Sequence, residues 1–153
     1  MTISKARAFT DGACKENPGP GGWAVVFSLP EESVEFCGYE KATTNNRMEL
    51  RAVLEAIKLG AGLEFKKLDI YSDSAYVVNA IKQKWVNKWQ KNNWRTVAGE
   101  NVKNRDLWEQ LIRLTNLHKQ RMKVRVIKIK GHSGHIMNDR ADELAKAQII
   151  KNE

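Results

Sequence analysis

Residues 45–57 read NNRMELRAVLEAI, and the fold turns on how this stretch is taken. Leu50, Val53, Leu54 and Ile57 recur at offsets of three, four and seven, the period of an amphipathic helix. With an asparagine near its N-cap, the pattern predicts a helix over residues 45–59. At roughly 100° per residue, Glu49 falls on the flank of the apolar stripe, one turn before Val53. A carboxylate there loses hydration and needs a partner. Either it leans out to water beside Arg47 or Arg51, or it faces other acids that the fold brings near.

Upstream of this helix the chain reads as strands. Residues 3–10 form the first, ending at Asp11-Gly12. GACKENPGPGG (12–22) is expected to be a loop, since glycine and proline dominate it. WAVVFSL (23–29) reads as a buried strand, PEES as a turn, and VEFCGYEKA (34–42) as an antiparallel return strand. Downstream, KLDIYS (67–72) is a short strand, followed at once by a helix carrying Tyr76, Val77, Ala80 and Ile81. A Trp-rich segment (85–95) and a polar loop (96–104) precede a helix over 105–117. KVRVIKI (123–129) is a strand, KGHSGHIMN a loop, and 139–149 the final helix. Three hairpin-connected strands followed by βαβ crossovers imply an α/β fold, one mixed sheet with helices packed on it. In such sheets chemistry gathers at the carboxyl ends of strands.

The chain of 153 residues, 42% hydrophobic, suits one globular domain over 1–153. No apolar run approaches the ~20 residues of a membrane helix, and MTISKARAFT is no signal peptide. Cys14 and Cys37 make neither a disulfide framework nor a zinc motif, so both are expected reduced and the protein cytoplasmic. A monomer is the default. The net charge of +8 favours a polyanionic partner. Residues 82–95 hold five basic residues and no acid, with Trp85, Trp89 and Trp94 interleaved. Indole faces among lysines suit stacking between phosphate contacts, although the tryptophans could instead pin a small helical lobe. Residues 119–130 are also basic without an acid, and a solvated face is the simpler reading there.

Four acids stand near element ends that face a common edge. Asp11 follows the first strand and Asp73 the fourth; Asp142 lies in the first turn of the last predicted helix; Glu49 flanks its stripe. Each has a bland explanation: Asp-Gly is a common turn pair, Asp73 a good N-cap, and Asp142 is favoured by a helix dipole. Together they would repel one another, and no lysine or arginine adjoins Asp11 or Asp73 in sequence. Divalent cations are the natural compensation, and all-oxygen ligation selects Mg²⁺ or Mn²⁺ over zinc. Two such ions ~4 Å apart can clamp the attacking water and leaving oxygen of a phosphodiester. Residue types and placement therefore point to a metal-dependent nuclease.

FTDGACKENPGPGGWA, TTNNRMEL, IYSDSAYV and KGHSGHIMNDRADELA resemble, in order and spacing, the four signature segments of ribonuclease HI, the type 1 ribonuclease H family. The resemblance covers the whole chain, and the Trp-rich lobe is similar to the basic protrusion of bacterial members. It implies a five-stranded mixed sheet, three strands antiparallel and then two parallel, with helices on both faces. It implies cleavage of the RNA strand of an RNA/DNA hybrid by two Mg²⁺ ions, Mn²⁺ substituting, to leave 5′-phosphate and 3′-hydroxyl ends. Asp11, Glu49, Asp73 and Asp142 match the metal-binding carboxylates. His132 matches a loop histidine of proton transfer or product release, a role its neutral-range pKa suits. His135 reads as structural, since HSGH lacks further ligands for zinc. Asn17, Asn45 and Asn46 match residues that read the RNA minor groove and its 2′-hydroxyls. Thr44 and Asn104 fall where the family grips a DNA phosphate, and Trp85, Lys88, Trp89 and Thr96 fit the DNA-strand channel. Ala75 departs from the pattern: many bacterial members carry a glutamine there that touches a base edge. The competing readings are a non-catalytic hybrid-binding module, which loss of any one carboxylate would favour, and an integrase-like enzyme acting on DNA, which usually carries further DNA-binding domains.

Overall fold

The computed structural model describes residues 4–131 and 134–153. Thr44 starts the decisive helix: its backbone is extended and its side chain accepts the N–H of Arg47. The helix, α1, runs Asn45–Gly62 and buries Leu50, Val53, Leu54 and Ile57 to 2% exposure or less. Each such side chain contributes roughly 1.5–3 kcal/mol by leaving water. Around α1 the elements are β1 (Lys5–Cys14), β2 (Gly19–Ser28), β3 (Ser33–Thr43), β4 (Lys67–Ser72), α2 (Ala75–Lys82), α3 (Trp85–Lys91), α4 (Arg105–His118), β5 (Lys123–Lys128) and α5 (Ile136–Lys151).

The sheet order is β3-β2-β1-β4-β5. β1 pairs antiparallel with β2, and β2 with β3; β4 lies parallel to β1, and β5 parallel to β4. Helices pack on both faces, as expected. The larger core joins Ala6, Ala8, Val25 and Phe27 to α1, α2 and α4, with Trp108 wholly enclosed. The smaller core sets Phe9, Ala24 and Val26 against Ala141 and Ala145 of α5. No helix is long and apolar enough to cross a membrane, among the described residues.

Three local expectations are corrected. The segment 12–22 is mostly strand: β1 extends to Cys14 and β2 begins at Gly19. Its glycines serve close approach rather than a loop. A Cβ on Gly12 would fall inside the α1 backbone at Met48 and Glu49, and one on Gly22 would strike the Ala145 carbonyl of α5. Asp11 therefore lies within β1, not after it. The last helix begins at Ile136 rather than 139, so Asp142 sits in its second turn, and Asp139 is the first-turn acid. The Trp-rich segment contains the short helix α3, one element more than expected.

Gly12→Ala is expected to force α1 away from β1 and to cost roughly 2–3 kcal/mol. Urea unfolding of both proteins measures this; an unchanged midpoint would mean that the β1–α1 approach tolerates a methyl group.

Candidate active site

Thr10 pairs with Ser72 across the parallel β1–β4 ladder. Asp11 and Asp73 are each one residue beyond that pair, so they stand abreast at a strand spacing of about 4.8 Å. Asp73 does not cap α2. Ser74 does, accepting the N–H of Val77, and this leaves the Asp73 carboxylate to the site. Gly131, after β5, packs against that carboxylate: a Cβ there would stand 2.8 Å from Asp73 Oδ2. Glu49 arrives from α1 and is 4% exposed, so it does not lean out to water. Arg47 instead pairs with Asp106, and Arg51 with Glu40 and Glu55.

Asp11, Glu49 and Asp73 each offer an oxygen within 4.8 Å of the others. The Gly12 N–H donates to Asp11 Oδ1 at 2.9 Å and also to Glu49 Oε1. Asp142, from α5, lines the same groove of about 500 Å³ without joining the tight triad, and its carboxylate holds Lys146 at 3.0 Å. Among the described residues, no lysine or arginine lies within ion-pair distance of Asp11, Glu49 or Asp73. Burial, with Asp73 and Asp142 nearby, pushes the Asp11 carboxyl up to about 7, although a hydrogen bond with Glu49 opposes the rise. Burial, followed by the bond to Asp11 and the charges of Asp11 and Asp73, holds Glu49 well above the ordinary carboxylate range. Hard oxygen donors that resist ionisation until a positive charge arrives fit Mg²⁺ or Mn²⁺.

The other predicted residues fall into separate places. Asn45 and Asn46, exposed at the start of α1, line the carboxylate groove. Asn17, in the β1–β2 hairpin, ties itself to them by accepting the Asn45 N–H at 2.9 Å. Thr44 is the α1 N-cap, so the capping role considered for Asn45 belongs to its neighbour. Asn104 sits before α4 in a left-handed conformation, with φ 62°, and reaches both Arg47 and the Tyr76 hydroxyl. Trp85, Lys88, Trp89 and Thr96 line a second surface pocket, also of about 500 Å³. The tryptophans do pin the lobe: Trp94 is buried, and Trp89 meets Trp94 at 6.5 Å and Trp108 at 5.8 Å. Trp85 and Trp89 nevertheless remain half-buried and open to that pocket. His135 stacks on Phe9 at 4.7 Å, in keeping with a structural role. His132 lies outside the described residues.

Three further residues line the groove. Tyr76, which the helical period places on an apolar face, is one of them, and its hydroxyl accepts from Asn104 at 3.1 Å and Trp108 at 3.0 Å. Lys146 was visible as an i,i+4 partner of Asp142. Cys14 lines the groove as well, and no sequence signal marks it.

A family model described as RNase H matches residues 4–150. A ribonuclease H of Acetivibrio thermocellus is 49% identical over 150 residues, covering 98% of each chain. That of Syntrophomonas wolfei is 51% identical over 143 residues, 92% of this chain and 93% of its own. Among solved structures, LC9-RNase H1, described as a type 1 RNase H with the type 2 active-site motif, superposes with a TM-score of 0.81 at 25% identity, over 100% of this chain and 75% of that one. LC11-RNase H1, solved in complex with an RNA/DNA hybrid, gives 0.69 at 23% identity over 96% and 98%, a likeness of fold alone.

The raised carboxyls set a pH signature for the metal-free protein. Asp11 ionises in the unfolded chain near 3.8 but in the folded chain only near 7. The stability that protonated Asp11 lends is therefore full below pH 4 and is lost as pH rises through that window. Asp11→Asn removes the loss. In EDTA the variant is expected to be more stable than the parent by roughly 1–3 kcal/mol at pH 8.5, with the gap closing towards pH 4. Denaturation at both pH values measures it, and a gap independent of pH would contradict the raised carboxyl.

Proposed function

The chain belongs to the ribonuclease H family, and from that premise we propose that it hydrolyses the RNA strand of RNA/DNA hybrids, leaving 5′-phosphate and 3′-hydroxyl ends. The observation that carries the reading is the carboxylate triad, without a lysine or arginine partner among the described residues, in a groove edged by Asn45 and Asn46, on a protein of net charge +8. Asp11, Glu49, Asp73 and Asp142 would hold two Mg²⁺ ions, with Mn²⁺ as substitute. When bound, these ions supply Lewis-acid activation of the attacking water and charge stabilisation at the leaving 3′-oxygen.

The chain's own residues supply position and selectivity. Asn45 and Asn46 flank the acids, where amide groups can pair with 2′-hydroxyls and base edges in the minor groove, and Asn17 braces them. Thr44 and Asn104 would hold a DNA phosphate, with Asn104 steadied by Arg47 and Tyr76. Trp85, Lys88, Trp89 and Thr96 would form a channel for the DNA strand, sugar faces on indole and phosphates near Lys88. His132 would move a proton or assist product release. Ala75 lines the groove with a methyl group where a longer amide could reach a base edge, so that contact is absent. The protein would act as a monomeric single domain in the cytoplasm, a setting its two free cysteines suit.

The deciding experiment presents one labelled RNA strand alone, in duplex RNA, and paired with DNA, each with Mg²⁺ and with EDTA. Metal-dependent cutting of the hybrid alone is expected, and Asp11→Asn should lower it by at least about 10³-fold while still binding the hybrid. Hybrid binding without cutting, in Mg²⁺ and in Mn²⁺, would leave a binding module instead. Lys88→Gln combined with Trp85→Ala should weaken hybrid binding by roughly tenfold and flatten its salt dependence; unaltered affinity would reduce the lobe to a structural part.

A further inference from the structure

A second basic surface lies away from the groove. By strand alternation, Lys5, Arg7 and Phe9 of β1 share one sheet face with Lys67, Asp69 and Tyr71 of β4 and with Lys123, Arg125 and Ile127 of β5. Phe9 and Tyr71 belong to the small core beneath α5, which identifies the face. In register, Lys5 stands beside Lys67 and Lys67 beside Lys123; in the next row Arg7 stands beside Asp69 and Asp69 beside Arg125.

The helix does not cover these two rows. Its N-cap His135 stacks on Phe9, its Ala145 carbonyl abuts Gly22, and Glu153 beyond its end pairs with Lys15. It therefore runs from the Phe9 row towards the β1–β2 hairpin, away from Lys5. Lys5, Arg7, Lys123 and Arg125 are exposed and Lys67 is half-buried. Asp69 is the one acid in the rows, and it is committed: it is buried and accepts two 2.9 Å bonds from Arg125.

Like charges abreast on neighbouring strands destabilise a sheet, so folding alone disfavours three lysines in one row. A polyanion laid over them relieves the repulsion. None of the six side chains in the two rows is apolar, so a protein partner has nothing there to bury. The lysines are about 5 Å apart and the rows about 7 Å apart, a spacing that a flexible sugar-phosphate chain can follow. Lys5 is six residues before Asp11, about 20 Å along β1. We propose that this open face is a second nucleic-acid site, which grips the phosphate backbone of a single strand independently of the cleavage groove and without regard to base sequence.

The test compares the parent with a Lys5→Gln, Lys67→Gln, Lys123→Gln variant. Binding of a labelled single-stranded DNA of about 24 nucleotides is followed in EDTA across a salt series, so the result does not depend on cleavage. Three lost contacts should lower the slope of log affinity against log salt by about two, at ~0.7 per contact, and weaken binding about tenfold in low salt. Cleavage of a short blunt hybrid in Mg²⁺ should stay within about twofold, which also reports that the variant is folded. An unchanged slope overturns the proposal. So does an equal loss of cleavage, which would merge this face with the groove. Poly-glutamate binding that is lost while DNA binding persists would assign the face to an acidic protein, and likewise overturn it.

Discussion

The backbone N–H of Gly12 donates to carboxylate oxygens of both Asp11 and Glu49, and the rest of the site is arranged around that shared donor. The bond exists only because α1 presses on β1 where a side chain is missing. Two acids that would separate in water are thereby kept together out of water. The start of α1 is fixed from three directions: Thr44 caps it, Asn17 reaches it from the β1–β2 hairpin, and Arg47 makes a bidentate pair with Asp106 at the start of α4. Displacing any of these would move Glu49 relative to the strands that carry Asp11 and Asp73.

Charge is segregated around this centre. Asp11 and Asp73 lie toward the carboxyl ends of β1 and β4, where neither is relieved by a lysine or arginine among the described residues, while basic side chains occupy the α3 lobe and the open sheet face. A net charge of +8 favours a polyanion, and the carboxylate triad at the groove could hold a cation. Asp142 differs from the triad in having its own partner in Lys146, one turn on. Its carboxylate also bears on Asp11, whose ionisation it opposes by a hydrogen bond and by its charge.

Much of this was legible in residue order. The period of Leu50, Val53, Leu54 and Ile57 marks α1 and its buried face, and KLDIYS (67–72) coincides with β4 to the residue. The hairpin was not, because glycine signals both a loop and a close approach, and only the helices on either side distinguish them. Asp73 looked like a cap for the same kind of reason: Ser74 is equally able to cap, and a one-residue difference in where α2 starts decides which side chain is left over. Trp89 packs on Trp94 and Trp108 and still faces the outer pocket, so its packing leaves part of the indole open.

By itself the sequence determined the order of the strands and of every helix but α3, the set of four acids, the family they belong to and the basic character of the chain, all properties carried by periodicity, residue type and motif. Tertiary structure alone decided that Asp11, Glu49 and Asp73 share one small volume while Asp142 stands slightly apart, that Tyr76 belongs to the groove, and that Lys5, Lys67 and Lys123 stand in one row. Those facts depend on which strands become neighbours, in what register, and how closely helices approach them. Residues about sixty positions apart meet through packing between segments, and no local pattern encodes the distance between them.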